Sequence, residues 1–345
     1  MLAAGIIAHH QKLSALLAAG ILLLPATQYP ATTWWSKPDL DREYVLSLDV
    51  EHYFGNIQKM RKHLETDRQI LWVTYYRNLY NATHPSEINS PVSLSRNLLA
   101  WNQPGTNGLI LPVNPSASFL SILFANELWF TLGDMTMAEH CAMLSMIFSP
   151  RNSGSRMIKR LAEINLVNGD DEAALKYLRI LDKTLLHKSW AEKRIPGQQT
   201  PRVKEWLEKK RRDIPTQDHL RSGNDAVTSL RNLVASNAGN LRAYEYLLCY
   251  HLLSKDLRSF VEDYVPGKVS SSIFAEALLI HLARQGNIRA EELIKYQIPV
   301  KIAKEFADYT RLYEAKDTSL KEKYGKTYWF YYHFATTEPG KESKP

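Results

Sequence analysis

Glycine is scarce in this chain, fifteen among 345 residues, about 4% where roughly 7% is usual. Tight β-hairpins consume glycine, so an all-β fold is disfavoured from the outset. Cysteine is scarcer still. Cys141 and Cys249 stand 108 residues apart, with no CxxC or Cys/His spacing suited to zinc. Each sits in an apolar stretch, "EHCAML" and "YLLCYHLL", and reads as a small buried side chain. Catalytic signatures are missing as well: no HExxH, no GxSxG, no Walker loop, no GxGxxG after a strand. The eleven histidines are scattered. Glu139, His140 and Cys141 are adjacent, but neighbours on a helix point about 100° apart and do not converge. His251 and His281 lie in apolar helices and read as satisfied core histidines rather than ligands. The expectation is a protein without catalytic residues, cofactor or metal.

Charge is present but concentrated. The net charge is +7, and between Lys183 and Arg221 eleven Lys/Arg face five Asp/Glu, a local +6. One surface, rather than the whole protein, is therefore basic. The N-terminus shows the opposite pattern: the 24 residues from Leu13 to Ser36 carry no formal charge. A helix of about 20 such residues crosses a hydrocarbon core of roughly 30 Å, and Tyr29, Trp34 and Trp35 suit an interfacial belt. A secretory leader is the competing reading. Leu24 stands where its cleavage site wants a small residue, so residues 1–36 read as a membrane segment. With "HHQK" as a cytoplasmic turn, everything after Trp35 would lie on the periplasmic side of an inner membrane.

From Asp39 onward, apolar residues recur at helical spacing and are broken by a repeated punctuation: Gly55-Asn56, Gly133-Asp134, Gly169-Asp170, Lys255-Asp256 and Gly286-Asn287. A residue suited to a left-handed cap ends one helix, and Asp or Asn can N-cap the next. Five such helix–turn–helix hairpins predict an all-α fold, an α-solenoid over residues 37–335. Gly133 and Gly169 are 36 apart, near the 34-residue tetratricopeptide period. Counting from them places the small contact positions on Ala138, Pro150, Ala162 and Ala174. "QILWVTYYRNLY" (69–80) reads as helix, 102–118 and 194–201 as loops, and 336–345 as a disordered tail.

"ELWFTLGDMTMAEHCAMLSMIFSPRNSGSRMIKRLAEINLVNGD" and the closing "EKYGKTYWFYYHF" resemble the C-terminal region of an uncharacterised family of bacterial membrane proteins, common in Bacteroides-like genomes. The resemblance spans roughly residues 40–335. It implies several membrane helices followed by a tetratricopeptide-like helical region, of which this chain carries one complete hydrophobic span. It implies no activity and carries over no site residue.

Two stretches stand out. In "TPRVKEWLEKKRR" (200–212), Val203, Trp206, Leu207 and Lys210 share one side, surrounded by Arg202, Lys204, Lys209, Arg211 and Arg212. Such a helix either docks through Trp206 and Leu207 with its charges solvated, or presents them to anionic lipid or an acidic protein. Nucleic acid is disfavoured, because basic and aromatic residues are not interleaved over a wide surface. In "YWFYYHF" (328–334), Tyr328, Trp329, Phe330, Tyr331, Tyr332 and Phe334 predict a helix apolar all round, one that folds back to cap the end of the solenoid. The functional expectation is a membrane-anchored helical-repeat scaffold for an unidentified protein partner. The alternative is a sensing or gating region of a larger multi-spanning transporter-like or enzyme-accessory protein.

Overall fold

The computed structural model describes residues 40–64, 73, 76–77, 80, 119–147, 154–217 and 226–334. The apolar segment 1–36, the loop 102–118, Pro150 and the tail 336–345 lie outside them. So does most of 69–80, of which Val73, Tyr76 and Tyr80 are helical and buried. The described residues form helices and turns without a strand; the fold is all-α and helical-repeat-like. Among them no helix is long and apolar enough to cross a membrane.

Chain contacts divide the protein into two compact units, 1–70 and 71–345. In the first, α1 (Leu40–Phe54) and α2 (Ile57–Leu64) form a hairpin about Gly55. Val45, Leu48, Met60 and Leu64 are buried in it.

In the second unit, neighbours along the chain are mostly neighbours in space. Helix α3 (Phe119–Leu132) packs on α4 (Met135–Ile147), α4 on α5 (Ser155–Asn168), α5 on α6 (Asp171–Asp182), and α6 on the short α7 (Lys188–Glu192). Helix α8 (Pro201–Arg211) then returns to α5. A second run follows: α9 (Ala226–Ser236) on α10 (Leu241–Leu253), α10 on α11 (Leu257–Asp263), and α11 on α12 (Ser272–Arg284). After α13 (Ala290–Lys295) come α14 (Val300–Glu314), α15 (Leu320–Tyr324) and α16 (Tyr328–Phe334), with α14 and α16 both against α12. One hydrophobic core runs from Ala125 to Tyr331, as stacked hairpins that cannot bury their apolar faces singly require.

The punctuation is local chemistry, and the backbone follows it. Gly55, Gly133, Gly169, Lys255 and Gly286 all have positive φ. Asp134, Asp170 and Asp256 then N-cap the following helix, accepting from the amides of Met137, Ala173 and Ser259 at 2.9, 2.9 and 3.0 Å. After Gly286 the pattern lapses, since α13 begins at Ala290. Ala138, Ala162 and Ala174 are fully buried, the places where small side chains let paired helices approach.

Helix ends also leave carbonyls without partners. In the second unit, side chains far along the chain donate to the last-turn carbonyls, including Leu166 O and Leu252 O, which also accept the amides of Gly169 and Lys255. The last turn of α3 is met by Lys210 on Phe130 O (3.3 Å), Arg242 on Thr131 O (3.0 Å) and Asn240 on Leu132 O (2.8 Å). Arg211 donates to Leu166 O and Val167 O at the end of α5, at 2.8 and 3.0 Å. Tyr328 and Tyr331 donate to Leu252 O and Leu253 O at the end of α10, at 3.0 and 2.8 Å. Cations there also complement the negative end of the helix dipole.

Candidate functional site

The basic helix α8 is held from within. Pro201 begins it, suited to a first helical turn whose amides are unpaired. Val203 and Leu207 are buried, and half-buried Trp206 stacks on Phe130 with ring centroids 6.3 Å apart. Lys210 Nζ sits 4.5 Å from the centroid of that same ring, and Arg211 closes α5 as described. The seven residues of the basic cluster therefore do not share one outward face. Trp206 is engaged by stacking on Phe130, and Lys210 and Arg211 by the carbonyls that the helix ends at Leu132 and Asn168 present. Arg202, Lys204, Lys209 and Arg212 are exposed and form no ion pair among the described residues.

A polar cluster that sequence reading missed lies beneath this helix. Glu127, on the otherwise apolar α3, is buried and paired to Arg160 at 2.5 Å and Arg156 at 3.4 Å. Arg160 also pairs with Glu163 at 3.1 Å, and its guanidinium lies 3.8 Å from the Phe130 ring centroid. One signal was available: a lone carboxylate inside "FANELWF" has to find a cation once buried.

The aromatic helix α16 is preceded by Thr327, whose Oγ1 accepts from the Phe330 amide at 3.3 Å. Tyr328, Trp329 and Tyr331 are buried against α10 and α12. The Glu276 carboxylate accepts the Tyr328 amide at 2.6 Å, and its carbonyl accepts the Trp329 indole N–H at 2.9 Å. Burial pushes the Tyr331 hydroxyl up to about 12, so it stays a donor. The expectation of an all-round apolar burial is corrected on the other side. Phe330 and Tyr332 are half-buried and Phe334 is 43% exposed, since nothing described packs beyond the last turn; Phe334 stacks on Phe330 instead, at 4.5 Å.

The remaining candidates are quiet. Burial pushes the Cys141 thiol up to about 12, which leaves it an unreactive core side chain. His251 binds Asp263 at 2.8 Å and His281 contacts Gln285 at 3.0 Å, so each is satisfied locally and they do not meet. Among the described residues no group of His, Cys, Asp and Glu is arranged for a metal ion. A shallow cavity of about 390 Å³ beside Asp134, Asn168, Ile214 and Asn232 offers one carboxylate, Asp134, already spent on capping α4.

These features define an all-helical, repeat-like protein whose distinctive motifs hold its own helices together. The chain belongs to a family of unknown function, DUF6057, whose model matches residues 4–335. No curated protein and no solved structure matches it.

Proposed function

We propose that the protein is a helical-repeat scaffold, tetratricopeptide-like in its hairpins and anchored in a bacterial membrane through residues 13–36. It recognises a protein partner by its surface and performs no chemistry of its own. The observation that carries the reading is the outer face of α8. Arg202, Lys204, Lys209 and Arg212 are exposed and form no ion pair among the described residues, on a helix fixed in place from its other side. This face, in which the four cations outnumber exposed Glu205 and Glu208, favours an acidic partner surface and speeds encounter with it. The soluble region would then stand on the periplasmic side, and nucleic acid is not its partner.

The test is in-cell crosslinking of the full-length chain, with a control carrying Arg202→Glu, Lys204→Glu, Lys209→Glu and Arg212→Glu. No side-chain hydrogen bond or ion pair of these four is seen among the described residues, so stability should change little. A specific crosslinked protein lost in the folded control supports the scaffold. An unchanged set of crosslinks, or crosslinks to lipid alone, refutes it.

A further inference from the structure

Leu185 and Leu186 stand in the turn between α6 and α7, and both face water. Leu185 is 98% exposed, more than any other large hydrophobic residue among those described, and Leu186 is 77% exposed. The turn is nonetheless fixed. Thr184 Oγ1 donates to Leu181 O at 2.7 Å and accepts the His187 amide at 3.1 Å. The Lys188 amide donates to Thr184 O at 3.2 Å, and Leu181 and His187 are buried on either side. Single exposed apolar residues are ordinary. Two adjacent ones, held off the fold by a hydrogen-bonded turn, leave apolar area in water that a contact would cover. Their surroundings are basic. Arg179 and Lys183 precede them and Lys188 and Lys193 follow, all exposed. From Arg179 to Arg194 five Lys/Arg face two Asp/Glu, and one of the acids, Glu192, lies 4.0 Å from Lys188. Half-buried Trp190 comes next on α7, with Lys159 and Arg194 at 5.2 and 4.1 Å from its ring centroid.

We propose that the α6–α7 turn is a lipid-contact site that dips into the headgroup layer of an anionic bilayer. Leu185 and Leu186 enter the acyl boundary, while Lys183 and Lys188 keep their ammonium groups among the headgroups. A fluid bilayer accepts an isolated apolar tip without a shaped pocket, whereas a protein partner or a second copy would have to supply one. The excess of cations around the tip selects anionic over neutral lipid.

The inference rests on the membrane location proposed above, but not on the protein partner or on the outer face of α8. It differs from the anchor in kind. A charge-free segment such as 13–36 would hold the chain by spanning, whereas a two-leucine tip gives a shallow, reversible contact.

The experiment puts a fluorescent maleimide on Ser189→Cys in the full chain, reconstituted with vesicles of phosphatidylcholine and phosphatidylserine. Ser189 is exposed beside the turn, and Cys141 and Cys249 are buried, so the new thiol takes the label. Lipid carrying a shallow spin label should quench it. The ratio of contacting to free turn, read from that quenching, should fall at least about tenfold in Leu185→Ser with Leu186→Ser. It should fall severalfold in phosphatidylcholine alone, an arm that needs no change at the leucines. Both replaced side chains are in water, so the variant should fold. An alkaline wash of the vesicles reads the anchor separately. Quenching that follows the leucines and the lipid charge supports the turn, whether or not the chain survives the wash. A chain that survives it with an unquenched label, or with quenching indifferent to either change, overturns the proposal and leaves the anchor standing. A label shielded from aqueous iodide yet unquenched by lipid means that protein covers the turn, and overturns it too. A chain that binds no vesicle overturns both readings.

Discussion

Gly133→Ala is expected to destabilise the protein by about 4 kcal/mol, and Gly169→Ala by only about 1 kcal/mol. Both residues sit in the left-handed region, at φ of 91° and 82°, where a side chain costs roughly 1–2 kcal/mol. The difference is what lies beside them. A methyl group on Gly169 meets nothing within 4 Å, whereas one on Gly133 would overlap the Asp213 carbonyl oxygen and lie 2.8 Å from its carbon. Relief by movement is blocked. The Asp213 carbonyl is held by Asn240 Nδ2 at 2.7 Å, and the same nitrogen holds Leu132 O at 2.8 Å. The turn of the α3–α4 hairpin is therefore pressed against the chain that follows α8. Denaturant midpoints at unchanged slope measure both variants. Equal losses would mean that this close approach is absent.

Trp329→Ala should cost about 4 kcal/mol, in the range for an emptied aromatic core site. Its indole is 1% exposed, with Phe306, Tyr309 and Tyr324 rings at 5.3, 5.4 and 5.8 Å. The substitution also leaves the Glu276 carbonyl without its indole donor. Phe334→Ala, five residues on and just as aromatic, should cost under about 1 kcal/mol because its ring is 43% exposed. Urea or guanidinium unfolding of the two variants separates them. Similar small losses from both would show that α16 is not docked on α12.

What could be read from the sequence was what is decided locally. A left-handed turn tolerates few residue types, and an aspartate after it caps through its own neighbours. Gly133-Asp134, Gly169-Asp170 and Lys255-Asp256 therefore announced their hairpins. Ala138, Ala162 and Ala174 followed from counting along a helix. The closures between distant segments were not legible. Lys210 meets Phe130 across 80 positions and Tyr331 meets Leu253 across 78, and no periodicity encodes such pairs. Composition likewise cannot tell Arg211 from Arg212, although one caps α5 and the other faces water. The aromatic stretch was legible as helix, but its exposed side was not, because exposure at Phe334 depends on what fails to pack there. The N-terminal apolar segment lies outside the described residues, and the proposed anchor is read from its charge-free length alone.

The central claim is that later side chains close the open carbonyl ends of earlier helices, and Arg211 with Arg212 tests it most directly. The two are adjacent, carry the same charge and sit at the same helix end. Arg211→Met should lower stability by about 1–2 kcal/mol, since Val167 O loses its charged donor and Leu166 O keeps only the Gly169 amide. Arg212→Met should change it by less than about 0.5 kcal/mol. Equal effects, or a larger loss at Arg212, in equilibrium denaturation would contradict the account.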